Sequence, residues 1–123
     1  MIITNRLYLP REEAARIAPY LGGMDQAVDF NALQPAPKEL TGQELRDWCS
    51  AYWGCEENAW DTEWLGTIVT FHTMDTTPAV WLEELSRLFP QVELTLDWFY
   101  EGRPEDWNQC VIRNGFTTWQ NMT

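Results

Sequence analysis

TPAVWLEELSRLFPQVELTLDWFYEG (Thr77–Gly102) changes its hydrophobic period partway along. In its first half Trp81, Leu82, Leu85, Leu88 and Phe89 recur at helical spacing and share one face of a helix. Thr77 supplies a cap and Pro78 occupies the first helical position, where a missing N–H costs nothing. Pro90 ends the helix, because a proline cannot continue the hydrogen-bond ladder. From there the period is two: Val92, Leu94, Leu96, Trp98 and Tyr100 point one way, and Glu93, Thr95, Asp97 and Glu101 the other. A one-sided helix running directly into a one-sided strand implies helices laid on one face of a largely antiparallel sheet, an α+β arrangement.

Working toward the N-terminus, TIVTFHT (Thr67–Thr73) has the β-branched and aromatic composition of a strand. Before it, CEENAWDTEWLG (Cys55–Gly66) mixes carboxylates and indoles and is expected to be a loop or bent connection. Thr41 with Glu44 forms a capping box. It opens a helix whose apolar stripe is Leu45, Trp48, Cys49, Tyr52 and Trp53 and whose stop is Gly54. Residues 24–40, with Phe30, Leu33 and QPAPKEL, are expected to form a short strand or extended segment followed by a turn. Pro10 opens a first helix, with Glu12 and Glu13 at its positive end, an apolar stripe of Ala14, Ile17, Ala18 and Leu21, and a stop at Gly22 and Gly23. Pro19 is expected to weaken its last turn. The first strand, around residues 2–9, sets Ile3, Leu7 and Leu9 against Thr4, Arg6 and Tyr8, with Asn5 out of pattern. Toward the C-terminus, WNQCVIRNG is expected to be a last strand and FTTWQNMT a short tail packed through Phe116 or Trp119. No repeat or linker divides the chain, so residues 1–123 are expected to form one domain.

The formal charge is −11, from 8 basic and 19 acidic residues. That argues against direct nucleic-acid binding, whose affinity comes largely from Lys and Arg on phosphates. Between Asp47 and Ser86 the chain carries Asp47, Glu56, Glu57, Asp61, Glu63, Asp75, Glu83 and Glu84 with no Lys or Arg, interleaved with Trp48, Trp53, Trp60, Trp64 and Trp81. A disordered acidic tract would lack such aromatics, so the charge is expected on a rigid surface. Acidity also serves solubility alone, and that bland explanation stands beside any functional one. The 3 cysteines form an odd set, and MIITNRLYLP lacks the basic start and apolar run of a signal peptide, so a cytoplasmic location is expected. No apolar stretch is long enough to span a bilayer, and no membrane role is expected.

Catalytic chemistry has little to build on. His72, the only histidine, sits inside a predicted strand, and neither a nucleophile elbow, a Walker loop nor a G-x-G-x-x-G run is present. Cys49, Cys55, Cys110 and His72 lack the close pairs of a structural zinc site. Glu56/Glu57, Asp61/Glu63 and Glu105/Asp106 are paired carboxylates, but no calcium-loop pattern frames them. No cofactor or metal is expected, and solvated charge accounts for these pairs better than glycoside hydrolysis does.

Taken together, Trp48, YWGCEENAWD (Tyr52–Asp61), VTFHTMDTTP (Val69–Pro78), WLEELSRLFP and VELTLDWFYEG resemble the YubB-type ferredoxin-like domain family of plasmid and phage proteins. The likeness covers roughly residues 40–103. It implies a ferredoxin-like fold and a mobile-element origin, and it brings no enzymatic site with it. Where the family has Thr-Lys after Trp-Gly this chain has Cys55-Glu56-Glu57, and where it has Trp-Ser-Pro-Pro this chain has Met74-Asp75-Thr76-Thr77-Pro78. Both departures add acid.

Three readings follow. The first is a non-enzymatic inhibitor of the anti-CRISPR kind whose carboxylates imitate phosphates and occupy a basic nucleic-acid site on a protein or ribonucleoprotein of a bacterial defence complex. Its candidate contact residues are Glu56, Glu57, Asp61, Glu63 and Asp75, with Glu105 and Asp106 as a second patch, and it acts as a monomer or homodimer. The second is a self-associating structural or regulatory module, and the third a small metal-dependent enzyme.

Overall fold

A computed structural model describes residues 1–121. Six strands form one antiparallel sheet in the order β2-β3-β1-β4-β5-β6, and three helices accompany it. Along the chain these are β1 (Ile2–Tyr8), α1 (Ala14–Leu21), α2 (Gly42–Trp53), β2 (Trp60–Leu65), β3 (Ile68–Met74), α3 (Ala79–Leu88), β4 (Leu94–Tyr100), β5 (Asn108–Arg113) and β6 (Phe116–Asn121). The chain is therefore α+β, as the change of period at Pro90 requires.

The sheet buries one side. Ile3 and Leu7 of β1, Val69 and Phe71 of β3, Leu94 and Leu96 of β4, and Cys110 and Ile112 of β5 are all buried. Most of them join Ile17 and Leu21 of α1, Cys49 and Trp53 of α2, and Trp81, Leu82 and Leu85 of α3 in a single core. Asn5, out of pattern in the sequence, is fully buried on the same side, and its amide donates to Thr73 Oγ1 at 2.9 Å. The same nitrogen also donates to the Phe71 carbonyl at 3.3 Å, while Asn5 Oδ1 is buried without a partner among the described residues. No helix of the described residues is long and apolar enough to cross a membrane.

The segment between α1 and α2 is not a strand. It is irregular with one 3-10 turn at Phe30–Ala32, and it is held by side chains: Trp81 Nε1 donates to the Phe30 carbonyl at 3.0 Å and Trp53 Nε1 to the Gln34 carbonyl at 2.9 Å. The expected loop before β3 is instead the edge strand β2. Its exposed, acidic residues hide the pattern, because an edge strand is held by pairing rather than by burial. The expected tail is strand β6, with Phe116 and Trp119 both exposed, so neither packs it down; Met122 and Thr123 lie outside the described residues.

Helix ends also differ. The first helix starts at Ala14, not Pro10, with Glu12 and Glu13 ahead of it, and Pro19 sits inside it without ending it. Thr41 caps α2 by position, yet neither its hydroxyl nor that of Thr77 makes a capping bond. On α3, Leu88 is exposed, and Ser86 is buried, its hydroxyl accepting from the Gly115 N–H at 2.7 Å. On α2, Tyr52 is likewise exposed and stacks on Trp48 with ring centroids 4.7 Å apart.

Replacing Trp81 with Phe removes a buried indole and strips the Phe30 carbonyl of its donor. The expected cost is about 2–4 kcal/mol, read as a lower urea midpoint at unchanged slope. The same change at the half-exposed Trp64 should stay within about 0.5 kcal/mol.

Candidate functional site

The antiparallel register decides where the acidic loops meet. Ile2 pairs with Met74, Ile3 with Tyr100, Trp98 with Asn108, Asn108 with Asn121, and His72 with Trp60. The start of β1, β2 and β5 and the end of β3, β4 and β6 therefore share one end of the sheet. From that end emerge the loop into β2 with Glu56 and Glu57, the turn after β3 with Asp75, and the β4–β5 connection with Glu101, Glu105 and Asp106. Asp61 stands at the same end of β2, while Glu63 lies farther along that strand, opposite Thr70. The opposite end carries Arg11, Arg87 and Arg113 beside Glu12, Glu13 and Glu93. Charge on this molecule is thus polarised along the strand axis.

Six of the seven predicted site residues come to one end, but they are not equivalent. Asp75 pairs with the N-terminal ammonium of Met1, and Asp106 pairs with Arg103 at 2.5 Å. Asp61 Oδ2 lies 3.3 Å from His72 Nδ1. It gets there through a bulge: the register slips between Trp60 and Glu63, and Asp61 takes φ 55, a left-handed conformation that aspartate tolerates better than most residues. Glu56, Glu57, Glu63 and Glu105 are exposed and have no ion pair among the described residues. Of these four, Glu56 and Glu57 are adjacent, and both line a hollow with Arg46 of α2. Together with Asp75 the two border another hollow of about 160 Å³ that is also lined by Ser50, Gly54, Met74 and Thr76.

A chain of hydrogen bonds fixes these two loops to each other. The buried Asn5 amide donates to Thr73 Oγ1, whose hydroxyl donates to the Thr76 carbonyl at 2.7 Å. Thr76 Oγ1 donates in turn to the Gly54 carbonyl at 2.6 Å, and the Cys55 thiol to the Thr76 carbonyl at 3.4 Å. On the far side, Asn58 accepts from the Phe30 N–H at 2.9 Å and donates to Asp29 at 2.8 Å. Glu56 and Glu57 are thus held between two anchored residues, Cys55 and Asn58. Gly54 makes the corner: it ends α2 at φ 81, and a Cβ there would stand 3.3 Å from the Val80 nitrogen.

A second feature lies on the uncovered face of the sheet. Arg6 stacks its guanidinium over Phe99, 5.0 Å from the ring centroid, beside a hollow of about 270 Å³ lined by Arg6, Asp97, Phe99, Pro104 and Trp107. Burial, reinforced by a hydrogen bond with Asp97, raises the Tyr8 phenol above its ordinary value. Alternation in β1 already put Arg6 and Tyr8 on the solvent side. Their meeting with Asp97 and Phe99 is a matter of register, since Arg6 pairs with Asp97 across β1 and β4.

The three cysteines are free and buried. Burial raises all three thiols, pushing Cys55 and Cys110 up to about 12. Among the described residues no three of His, Cys, Asp and Glu gather to hold a metal.

Gly54→Ala is expected to destabilise the protein by about 1–2 kcal/mol and to loosen the Glu56–Glu57 loop, seen as faster amide exchange at Cys55–Asn58. Because folding raises these thiols from 9.0 to about 12, the stability they contribute is intact below pH 9 and is lost as pH climbs through that window. The urea midpoint should fall above pH 9, and a Cys55→Ala/Cys110→Ala variant, though weaker, should show a flatter alkaline limb.

Compared with known proteins, the chain matches no protein-family model, no curated protein and no solved structure.

Proposed function

We propose that this chain is a YubB-type ferredoxin-like protein of a plasmid or phage that inhibits a bacterial defence complex by occupying its basic nucleic-acid-binding site, without catalysis. The observation that carries the reading is the excess of acid at one end of the sheet: Glu56, Glu57, Asp75, Glu101, Glu105 and Asp106 on its loops and Asp61 at the start of β2, against Arg103 and the Met1 ammonium, with Arg46 of α2 lining a hollow beside Glu56 and Glu57. Duplex DNA offers a negative charge about every 1.7 Å of axis, so a cationic groove reads spaced carboxylates much as it reads phosphates. Trp60 and Trp107 stand at the same end and give Arg side chains a flat surface for cation–π contact. The Asn5–Thr73–Thr76–Gly54 hydrogen bonds hold two of the acidic loops before binding, which lowers the ordering cost of association.

The connectivity supports the ferredoxin-like part. The first four strands stand in the order β2-β3-β1-β4, all antiparallel, with helices in the β1-to-β2 and β3-to-β4 crossovers. That order resembles a βαββαβ arrangement carrying a second helix in its first crossover and two further strands, β5 and β6, on one edge.

The test is capture of a partner from a bacterial lysate on the immobilised protein. The expected partner is a nucleic-acid-binding protein that elutes with added duplex DNA and with rising salt. Glu56→Lys with Glu57→Lys should weaken binding by about 2 kcal/mol or more, while Glu12→Lys at the opposite end should change it little. A partner indifferent to salt and DNA would overturn the reading.

A further inference from the structure

We propose that the chain pairs with a second copy of itself along β6, antiparallel across a twofold axis, joining two sheets into one. The hairpin that creates this edge has a two-residue turn, Asn114-Gly115, with φ 47 and φ 84, the type I′ geometry that matches strand twist. In such a hairpin Arg113 and Phe116 exchange both backbone hydrogen bonds, and the pattern then alternates. Phe116, Thr118 and Gln120 therefore turn their N–H and C=O groups toward β5, and Thr117 and Trp119 turn theirs outward. Among the described residues nothing pairs with that outward row.

Exposed strand edges are normally guarded by charge, proline or a bulge. The opposite edge of this sheet is guarded: β2 carries the Asp61 bulge and Glu63. Strand β6, FTTWQN, has no charge, no proline and an unbroken register with β5. It also leaves Phe116 76% and Trp119 54% exposed, on opposite faces. Paired strands would cover part of both rings.

Charge selects a second copy as the occupant. Residues 114–121 carry no charge in a molecule of −11, and Glu83 of α3, which touches the strand, is held by the Thr117 hydroxyl at 2.7 Å, so the strand itself offers no charge to a basic or an acidic partner strand. At the hairpin end stand Arg113, exposed and without an ion pair among the described residues, and Arg87, which lies over Gly115 and is paired with Glu84 at 2.8 Å, so the free positive charge there is that of Arg113. At the other end of β6 lies the Glu105–Asp106 turn. Antiparallel twofold pairing sets each copy's arginine end beside the other's acidic end and keeps the two acidic ends at opposite poles. The interface is isologous and closed, so it stops at two copies. Trp119 lines a hollow with Gly54, Asp75 and Thr76, but Glu56 and Glu57 are not part of the pairing edge, and the proposal does not depend on what they bind.

The experiment is light scattering with the full chain across a concentration series, joined to amide exchange. A dimer is expected, with Thr117 and Trp119 amides that become protected as concentration rises. Trp119→Lys, at an exposed position where folding is checked by circular dichroism, should weaken association on the order of thirtyfold or more, the loss a well-buried tryptophan anchor gives. Leu65→Lys on the opposite edge should leave it unchanged. A monomer at all concentrations, a dimer that survives Trp119→Lys, or one whose Thr117 and Trp119 amides exchange freely would overturn the proposal.

Discussion

Phe30 lies between two indoles, and the helix layer is organised around that contact. Its ring is fully buried, 4.9 Å from Trp81 and 5.4 Å from Trp53, with Phe71 of the sheet at 6.4 Å. A buried indole needs a partner for its N–H. Both find one in the carbonyls of the same irregular segment, at Phe30 and Gln34. One cluster thus joins α2, α3, β3 and an irregular stretch of chain, and it supplies donors to two of that stretch's carbonyls, the one at Phe30 fully buried.

The clasp also explains how so acidic a chain folds around a rigid charged end. The carboxylates sit on loops whose neighbours are buried: Cys55 and Ala59 flank Glu56 and Glu57, and Thr73 and Thr77 flank Asp75. Burial anchors each loop at both sides and leaves the charged tips in water, where like-charge repulsion is screened. The hydrogen bonds that run from Asn5 to Gly54 then tie loop to loop. The uncovered face of the sheet is arranged differently: Arg6 and Gln109 flank Asp97 from either side there, and Gln109 donates to Asp97 at 2.8 Å.

Two edges of one sheet have opposite character. Strand β2 turns outward an acidic, bulged rim, and β6 an uncharged one ending in a tight hairpin. The same physical requirement, that outward N–H and C=O groups find water or a partner, is met in two ways. On β2, acidic side chains and the bulge stand against a pairing strand; on β6 the row stays open.

The amino-acid sequence by itself determined the elements whose apolar residues keep a period: α1 apart from its start, α2, α3, β1, β3, β4 and β5, and with them the α+β class. A period records which side of an element is buried, so it is legible only where burial occurs. Strands β2 and β6 were hidden for that reason, since they form at edges and are held by backbone pairing. Residues 24–40 misled because Phe30 and Leu33 are apolar without being periodic, and their place depends on distant indoles. The acids could be named from the sequence, and Arg103 lies three residues from Asp106, within local reach. That Glu56 and Glu57 stand beside Asp75, that Asp61 meets His72, and that Arg11, Arg87 and Arg113 stand at the far end were decided only by the tertiary structure. Strand register brings together residues that lie far apart in the chain, and no local propensity encodes it.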